Sequence, residues 1–168
     1  LADCFGLRLL NRRGCFPQFD KFIEQTKDVW THLVDIRKSF EPRAEELARK
    51  YALAPYTMFI GSGALWGETI LFSMCILEEM QWKRTRYITS ADFFHGTLEL
   101  VEPGVPVFLF MGEDENRKLD ERVRAFLTRG VTGDTDINII DTAEFAIPGL
   151  DDDFRVIVSP WILTVLVT

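Results

Sequence analysis

The stretch VPVFLFMG, residues 105–112, constrains the fold more than any other part of the chain. It is apolar without alternation, so an extended backbone there must be buried on both faces. A strand buried on both faces belongs inside a parallel sheet covered by helices. The surrounding segments agree. YTMFIG (56–61) is a short β-branched and aromatic run bounded by Pro55 and Gly61, and TRYIT (85–89) and INIID (137–141) are two more strands. Between them lie an almost wholly apolar helix from about Leu65 to Trp82 and an amphipathic helix in NRKLDERVRAFLTRG, ending at Gly130. Residues 154–167 form a final helix or apolar segment. Ahead of the first strand, Phe22, Ile23, Trp30, Leu33, Val34, Ile36, Leu47 and Ala48 recur at helical spacing, and Pro42 is expected to start a second helix after Glu41. Strands alternating with helices give an α/β fold: a parallel sheet sandwiched by helices, preceded by N-terminal helices.

A chain of 168 residues suits one domain with a real core. Its formal charge of −7 argues against a nucleic-acid or acidic-membrane partner, since both need a basic face. The longest apolar runs are broken by charge or proline well short of a membrane span. Cys4, Cys15 and Cys75 share no metal or redox spacing, and no secretory signal opens the chain, which fits a reducing, cytoplasmic setting. Both ends, LADCFGLRLL and VIVSPWILTVLVT, are apolar and are expected to pack against more protein, in the same polypeptide or in a second subunit.

Ligands of parallel α/β sheets bind outside the carboxyl ends of the strands. Three loops fall there: GSGALWG, SADFFHG and GEDENR. The first joins a strand to a helix, so amides at a helix N-terminus can face an anion. It reads as a phosphate or sugar contact or as a tight packing turn. Its glycines also suggest a dinucleotide loop, but the strand at 85–89 ends in Thr89-Ser90, with no acidic residue for a ribose. Glu78 and Glu79 close an apolar helix whose C-terminal dipole disfavours them. They are surface carboxylates, or one faces a cleft, where burial would raise its pKa and suit it to proton transfer. About 100° apart on a helix, they cannot both do so, and Glu79 is expected to face the cleft at the strand carboxyl ends. His95, beside Phe93, Phe94 and Gly96, is a structural residue or an acid/base group whose tautomer Asp92 could set. His32 is structural or exposed, Cys75 a core residue, and the acidic runs GEDEN and 151–153 are solvated helix starts.

From Gly61 to Leu100 the chain resembles the sugar isomerase (SIS) domain family: a glycine turn after a strand, a helix ending in Glu, a strand, then HG before Leu-Glu-Leu. The interval of sixteen residues from Glu79 to His95 is similar to that in the isomerase half of glucosamine-6-phosphate synthase. SGA (62–64), SMCILEEMQW (73–82), SADFFHGTLELVEPGVP (90–106) and DERVRAFL (120–127) look most like the fructosamine-6-phosphate deglycases, which act on fructose-lysine and fructose-asparagine phosphates. The resemblance covers about residues 20–165. It implies a flavodoxin-like, three-layer αβα sandwich over residues 51–168, the second lobe of a two-lobe enzyme, with residues 1–50 a helical segment packed on this domain or on the other lobe.

The same resemblance implies a deglycase that converts a fructosamine 6-phosphate and water to glucose 6-phosphate and a free amino acid. Glu79 would shuttle protons between C1 and C2. His95 would assist ring opening and proton transfer at the ring oxygen, reaching the site of a neighbouring subunit, so the active unit would be a homodimer or higher oligomer. Ser62 and Gly63 would contact the substrate. Neither metal nor cofactor is implied, and the partner is a small sugar phosphate rather than nucleic acid or membrane. The alternatives are an aldose-ketose or amino-sugar phosphate isomerase using the same pair, and a non-catalytic sugar-phosphate-binding SIS module. One departure is plain. No serine-threonine cluster follows any strand, so the phosphate-binding loop is expected on the other lobe.

Overall fold

The computed structural model describes residues 2–130 and 135–168. Three helices, α1 (Ala2–Arg12), α2 (Phe19–Thr26) and α3 (Val29–Tyr51), lead into strand β1 (Thr57–Ile60). A 3-10 turn at Gly63–Leu65 opens α4 (Trp66–Ile70), which runs on as a π-helix over Leu71–Met80. Strands β2 (Thr85–Ile88) and β3 (Val107–Met111), helix α5 (Arg117–Thr128), strand β4 (Ile137–Asp141) and helix α6 (Asp152–Val167) follow.

The strands form one sheet in the order β2-β1-β3-β4, and every pairing is parallel. Met58 lies opposite Val107, and Val107 opposite Ile137. β3 is interior and buried along its whole length, as its unbroken apolar run requires. Alternate residues feed two cores. Phe59, Phe108, Phe110 and Ile140 face a layer formed by α2, α3, α6 and the π-helix, through Phe22, Leu33, Phe40, Phe72, Leu77, Phe154 and Val158. Met58, Ile60, Val107, Leu109 and Met111 face the other layer, where Phe93, Val123 and Leu127 come from α5 and the segment after β2. The result is a three-layer αβα sandwich, and the helical segment before residue 51 is part of its first layer.

Pro42 does not start a second helix: α3 continues through it from Val29 to Tyr51. A proline inside a helix removes one hydrogen bond and crowds the preceding turn, a cost of about 3 kcal/mol. Here Val29, Leu33, Ile36 and Phe40 before it, and Ala44, Leu47 and Tyr51 after it, lie on one continuous apolar face. Burial of each large apolar side chain contributes about 1.5–3 kcal/mol, so packing outweighs the local penalty. The apolar segment near the end is helical, starting at Asp152 and Asp153, whose charges complement the helix dipole. Asp151 is not merely solvated. It pairs with Lys21 and Gln25 and holds α2 to the start of α6. Among the described residues no helix is long and apolar enough to cross a membrane.

Candidate functional site

Three loops converge at the carboxyl edge of the sheet, and their contacts are polar. The turn after β1 is tightly filled: a side chain at Gly61 would collide with the Thr69 hydroxyl, and one at Gly63, where φ is +56°, would collide with Asp114. Ala64 N donates to Asp114 Oδ2 at 2.5 Å and Asn116 N donates to Asp114 Oδ1 at 2.7 Å. The Asp114 carboxylate thus occupies the start of the helix that follows β1, the position suited to an anion. Ser62 is buried, and its Oγ accepts from Ser90 N at 2.7 Å. Of the turn expected to meet substrate through Ser62 and Gly63, the Ser62 hydroxyl oxygen is engaged by Ser90 and the neighbouring Ala64 amide by Asp114.

Asp120, the first residue of DERVRAFL, has no role marked for it in the sequence. Its side chain is buried, with the residue only 1% exposed, and it accepts from Ser90 Oγ at 2.5 Å and from Gly112 N at 3.4 Å. Burial pushes its pKa up to about 6, against the lowering effect of those two bonds; Asp114 adds to the rise and Arg117 opposes it. The signal was present in the pattern: Asp120 shares the buried face of α5 with Val123 and Leu127, the spacing of an apolar stripe. A buried acid that holds its proton more tightly in the folded state stabilises the fold fully below its unfolded pKa. That contribution is lost as pH rises through about 6. The stability of the wild type relative to Asp120→Asn is therefore expected to fall by on the order of 2–3 kcal/mol between about pH 4 and pH 7. Urea titrations of both proteins across that range check it, and a difference that does not change with pH rules out the perturbed carboxyl.

The acidic run after β3 leads into α5, as expected of a helix start, but its carboxylates are bound within the protein rather than simply solvated. Glu113 is paired two-pronged with Arg155, at 2.8 Å to Nε and 2.7 Å to Nη2, and Arg155 also donates to the Phe145 and Thr142 carbonyls. Arg117 reaches Asp141 with both terminal nitrogens, at 2.9 and 2.6 Å, and donates to the Gly112 carbonyl. Burial works against the Asp141 charge, but the Arg117 guanidinium and the Ala143 amide hold its pKa below the ordinary value. These pairs lock the β3–α5 loop to β4 and α6.

Of the two residues expected to carry chemistry, His95 lies in the loop after β2 at this edge, whereas Glu79 stands elsewhere. Glu78 Oε1 accepts from Thr85 Oγ1 at 2.5 Å, and Lys83 N donates to the Leu77 carbonyl. The helix bearing the carboxylates therefore ends beside the first residue of β2, at the amino edge of the sheet. The expectation that Glu79 faces a cleft at the carboxyl ends is not met. A helix that follows one parallel strand must run back to the start of the next, and its last residues return with it. Glu78 and Glu79 do diverge: Glu78 is half-buried on Thr85, whereas Glu79 is exposed. Nearby Trp82 is 90% exposed and takes a left-handed φ of 55°.

His95 is exposed in the segment after β2, its main-chain N donating to the Asp92 carbonyl at 2.8 Å. The Asp92 carboxylate accepts from Thr89 Oγ1, so the contact made with His95 is through the backbone. Phe93 is fully buried and stacks edge-on with Phe94 and Phe126, which anchors the turn and leaves the histidine outside. The Glu79 helix packs on one face of the sheet through Phe72 and Leu77, and the His95 segment packs on the other through Phe93, Phe94 and Leu98. A single chain does not bring the pair together. His32 and Cys75 are half-buried, the latter outside the core proper. Among the described residues no group of three or more His, Cys, Asp or Glu is placed to hold a metal ion.

No protein-family model matches the chain. It is 28% identical over 160 residues to the fructosamine deglycase of Bacillus subtilis (strain 168), covering 95% of this chain and 47% of that protein. It is 29% identical over 148 residues to the fructoselysine 6-phosphate deglycase of Escherichia coli (strain K12), covering 87% and 43%. A solved structure described as a phosphosugar isomerase from Salmonella typhimurium LT2 superposes with a TM-score of 0.85 at 26% identity, over 95% of this chain and 48% of that one. The chain has the sugar isomerase fold. The C-terminal domain of glucosamine-fructose-6-phosphate aminotransferase from Francisella tularensis shares this fold at a TM-score of 0.69 and 16% identity, over 96% of this chain and 48% of that one. The chain is thus similar in sequence to fructosamine deglycases and in fold to phosphosugar isomerases, and it spans about half the length of the curated relatives it matches.

Proposed function

We propose that the chain is one lobe of a cytoplasmic, phosphosugar-processing enzyme, a deglycase that hydrolyses a fructosamine 6-phosphate to glucose 6-phosphate and a free amino acid. The observation that carries this reading is the 28% identity, over 160 residues, to a fructosamine deglycase. The reaction needs only proton transfers and water. In the open-chain fructosamine the amine nitrogen is on C1 and the carbonyl at C2. Glu79 takes a proton from C1 while the C2 oxygen gains one, giving an enaminol. Return of a proton to C2 gives an iminium between C1 and nitrogen, which becomes the imine when nitrogen loses its proton. Water adds at C1, the C1–N bond breaks, and the amino acid leaves behind the C1 aldehyde of glucose 6-phosphate. His95 exchanges the proton of the ring oxygen as the sugar ring opens. A positioned acid or base typically contributes 10²- to 10⁴-fold to such steps.

Because the sheet separates Glu79 from His95 within one chain, the reading takes the histidine from a second copy, in a homodimer or higher oligomer. Residues 51–168 form the SIS lobe in this reading. The substrate phosphate is held on a second lobe, since the turn at Ser62 and Gly63 is filled by Asp114 and Ser90.

A second reading, an aldose-ketose or amino-sugar phosphate isomerase with the same pair, is favoured by the likeness to a structure described as a phosphosugar isomerase. The products separate the two. Full-length protein incubated with fructose-lysine and fructose-asparagine 6-phosphates is expected to release free amino acid and glucose 6-phosphate in equal amounts. Rearranged sugar phosphate with no amino acid released would replace the deglycase by the isomerase.

A further inference from the structure

A buried acid sits beneath the histidine segment, and the chemistry proposed above does not use it. Ser90, 2% exposed, is the second residue after β2 and leads the turn that ends at His95. Both of its donors point inward. Its N–H goes to Ser62 Oγ, in the loop after β1, and its hydroxyl goes to Asp120 Oδ1 on α5. Asp120 Oδ2 in turn accepts from Gly112 N, at the end of β3. The three hydroxyl and carboxyl side chains, Ser62, Ser90 and Asp120, are all at least nine-tenths buried and link three neighbouring loops. Beyond Ser90 the backbone closes on itself: Phe93 N donates to Thr89 O, His95 N to Asp92 O and Leu98 N to Phe93 O. The turn is a compact unit, so its orientation is set where it is fastened.

We propose that Asp120 is a positioning residue for His95, fastening Ser90, and with it the turn that displays the histidine, to α5 and the loop after β3. Catalytic relevance rests on the reading of His95 given above; the fastening itself does not. Asp120 lies below the loops and touches no reacting atom. An apolar residue would match Val123 and Leu127 on the same helix face, and burial of a carboxyl among them is costly unless its bonds are made. Its bonds are made by Ser90, at the head of the histidine turn, and by Gly112 in the loop after β3.

The test combines rate and amide hydrogen exchange on full-length protein carrying Asp120→Ala, Asp120→Asn or Ser90→Ala, with His95→Ala as reference. Asp120→Ala is expected to speed exchange locally at Phe93, His95 and Leu98, with the π-helix and β3 unchanged. It is expected to lower kcat about 10- to 100-fold with KM within about twofold, since small misplacements of a catalytic group have effects of this size. Asp120→Asn keeps an acceptor for Ser90 and should restore most of both. Ser90→Ala, a smaller change that guards against failure to fold, should reproduce the local exchange. Exchange that is unchanged at residues 93–98, or raised equally across the sheet, overturns the proposal. Should His95→Ala prove fully active, the catalytic reading fails, and the exchange pattern alone still decides whether Asp120 fastens the turn.

Discussion

Glu79→Gln and His95→Ala are each expected to remove about 10²- to 10⁴-fold of turnover in the full-length enzyme, the usual worth of a positioned acid or base. KM should change far less, because the phosphate anchor is assigned to the other lobe. Glu78→Gln is the internal control. Its carboxylate is already committed to Thr85, and a glutamine keeps an acceptor for that hydroxyl, so the substitution should leave both rate and stability nearly intact. The separation of Glu79 and His95 across the sheet adds a sharper outcome. If each site takes its glutamate from one chain and its histidine from another, two inactive variants can complement. A mixed dimer of Glu79→Gln and His95→Ala chains contains one site with both groups intact. Co-expression of the two variants should therefore restore activity that neither has alone. Melting temperatures measured on the same samples exclude unfolding as the cause of a lost rate. A folded, fully active Glu79→Gln protein ends the acid/base reading, and failure to complement ends the reading of a site shared between two chains.

Arg155→Ala is expected to cost about 3–5 kcal/mol, the largest stability effect of any polar substitution considered. The Arg155 and Glu113 side chains are 12% and 14% exposed, so removing the guanidinium strands a carboxylate out of water. It also strips the Phe145 and Thr142 carbonyls of a donor. Breaking a buried pair costs far more than replacing it, because a lone buried charge keeps its desolvation penalty without compensation. The double variant Glu113→Leu/Arg155→Met should accordingly recover a large part of the loss. Urea denaturation of the single and double variants measures both. A loss under about 1 kcal/mol for Arg155→Ala would mean the pair is effectively solvated.

The sheet and its order of elements were legible in the sequence because their cause is local. A strand buried on both faces needs an apolar residue at every position, and 107–111 has one. INIID is β4 to the residue, and the apolar helix after the glycine turn lies where its composition put it. Pro42 misled because its penalty is local, whereas the apolar face that carries α3 across it is supplied by α6 and the sheet. The candidate pair Glu79 and His95 was visible as residues at an interval; which side of the sheet each occupies was not. Spacing along a chain carries no sign for the layer into which a connection folds. Asp114 on the glycine turn, Glu113 on Arg155 and Ser90 on Asp120 join residues 50, 42 and 30 positions apart. Such contacts have no period, so nothing in the sequence near either partner marks them. Periodic burial is written into each segment by the solvent it must avoid, while the pairing of buried charges is settled only when the packed layers decide which polar groups have lost their water and which neighbour replaces it.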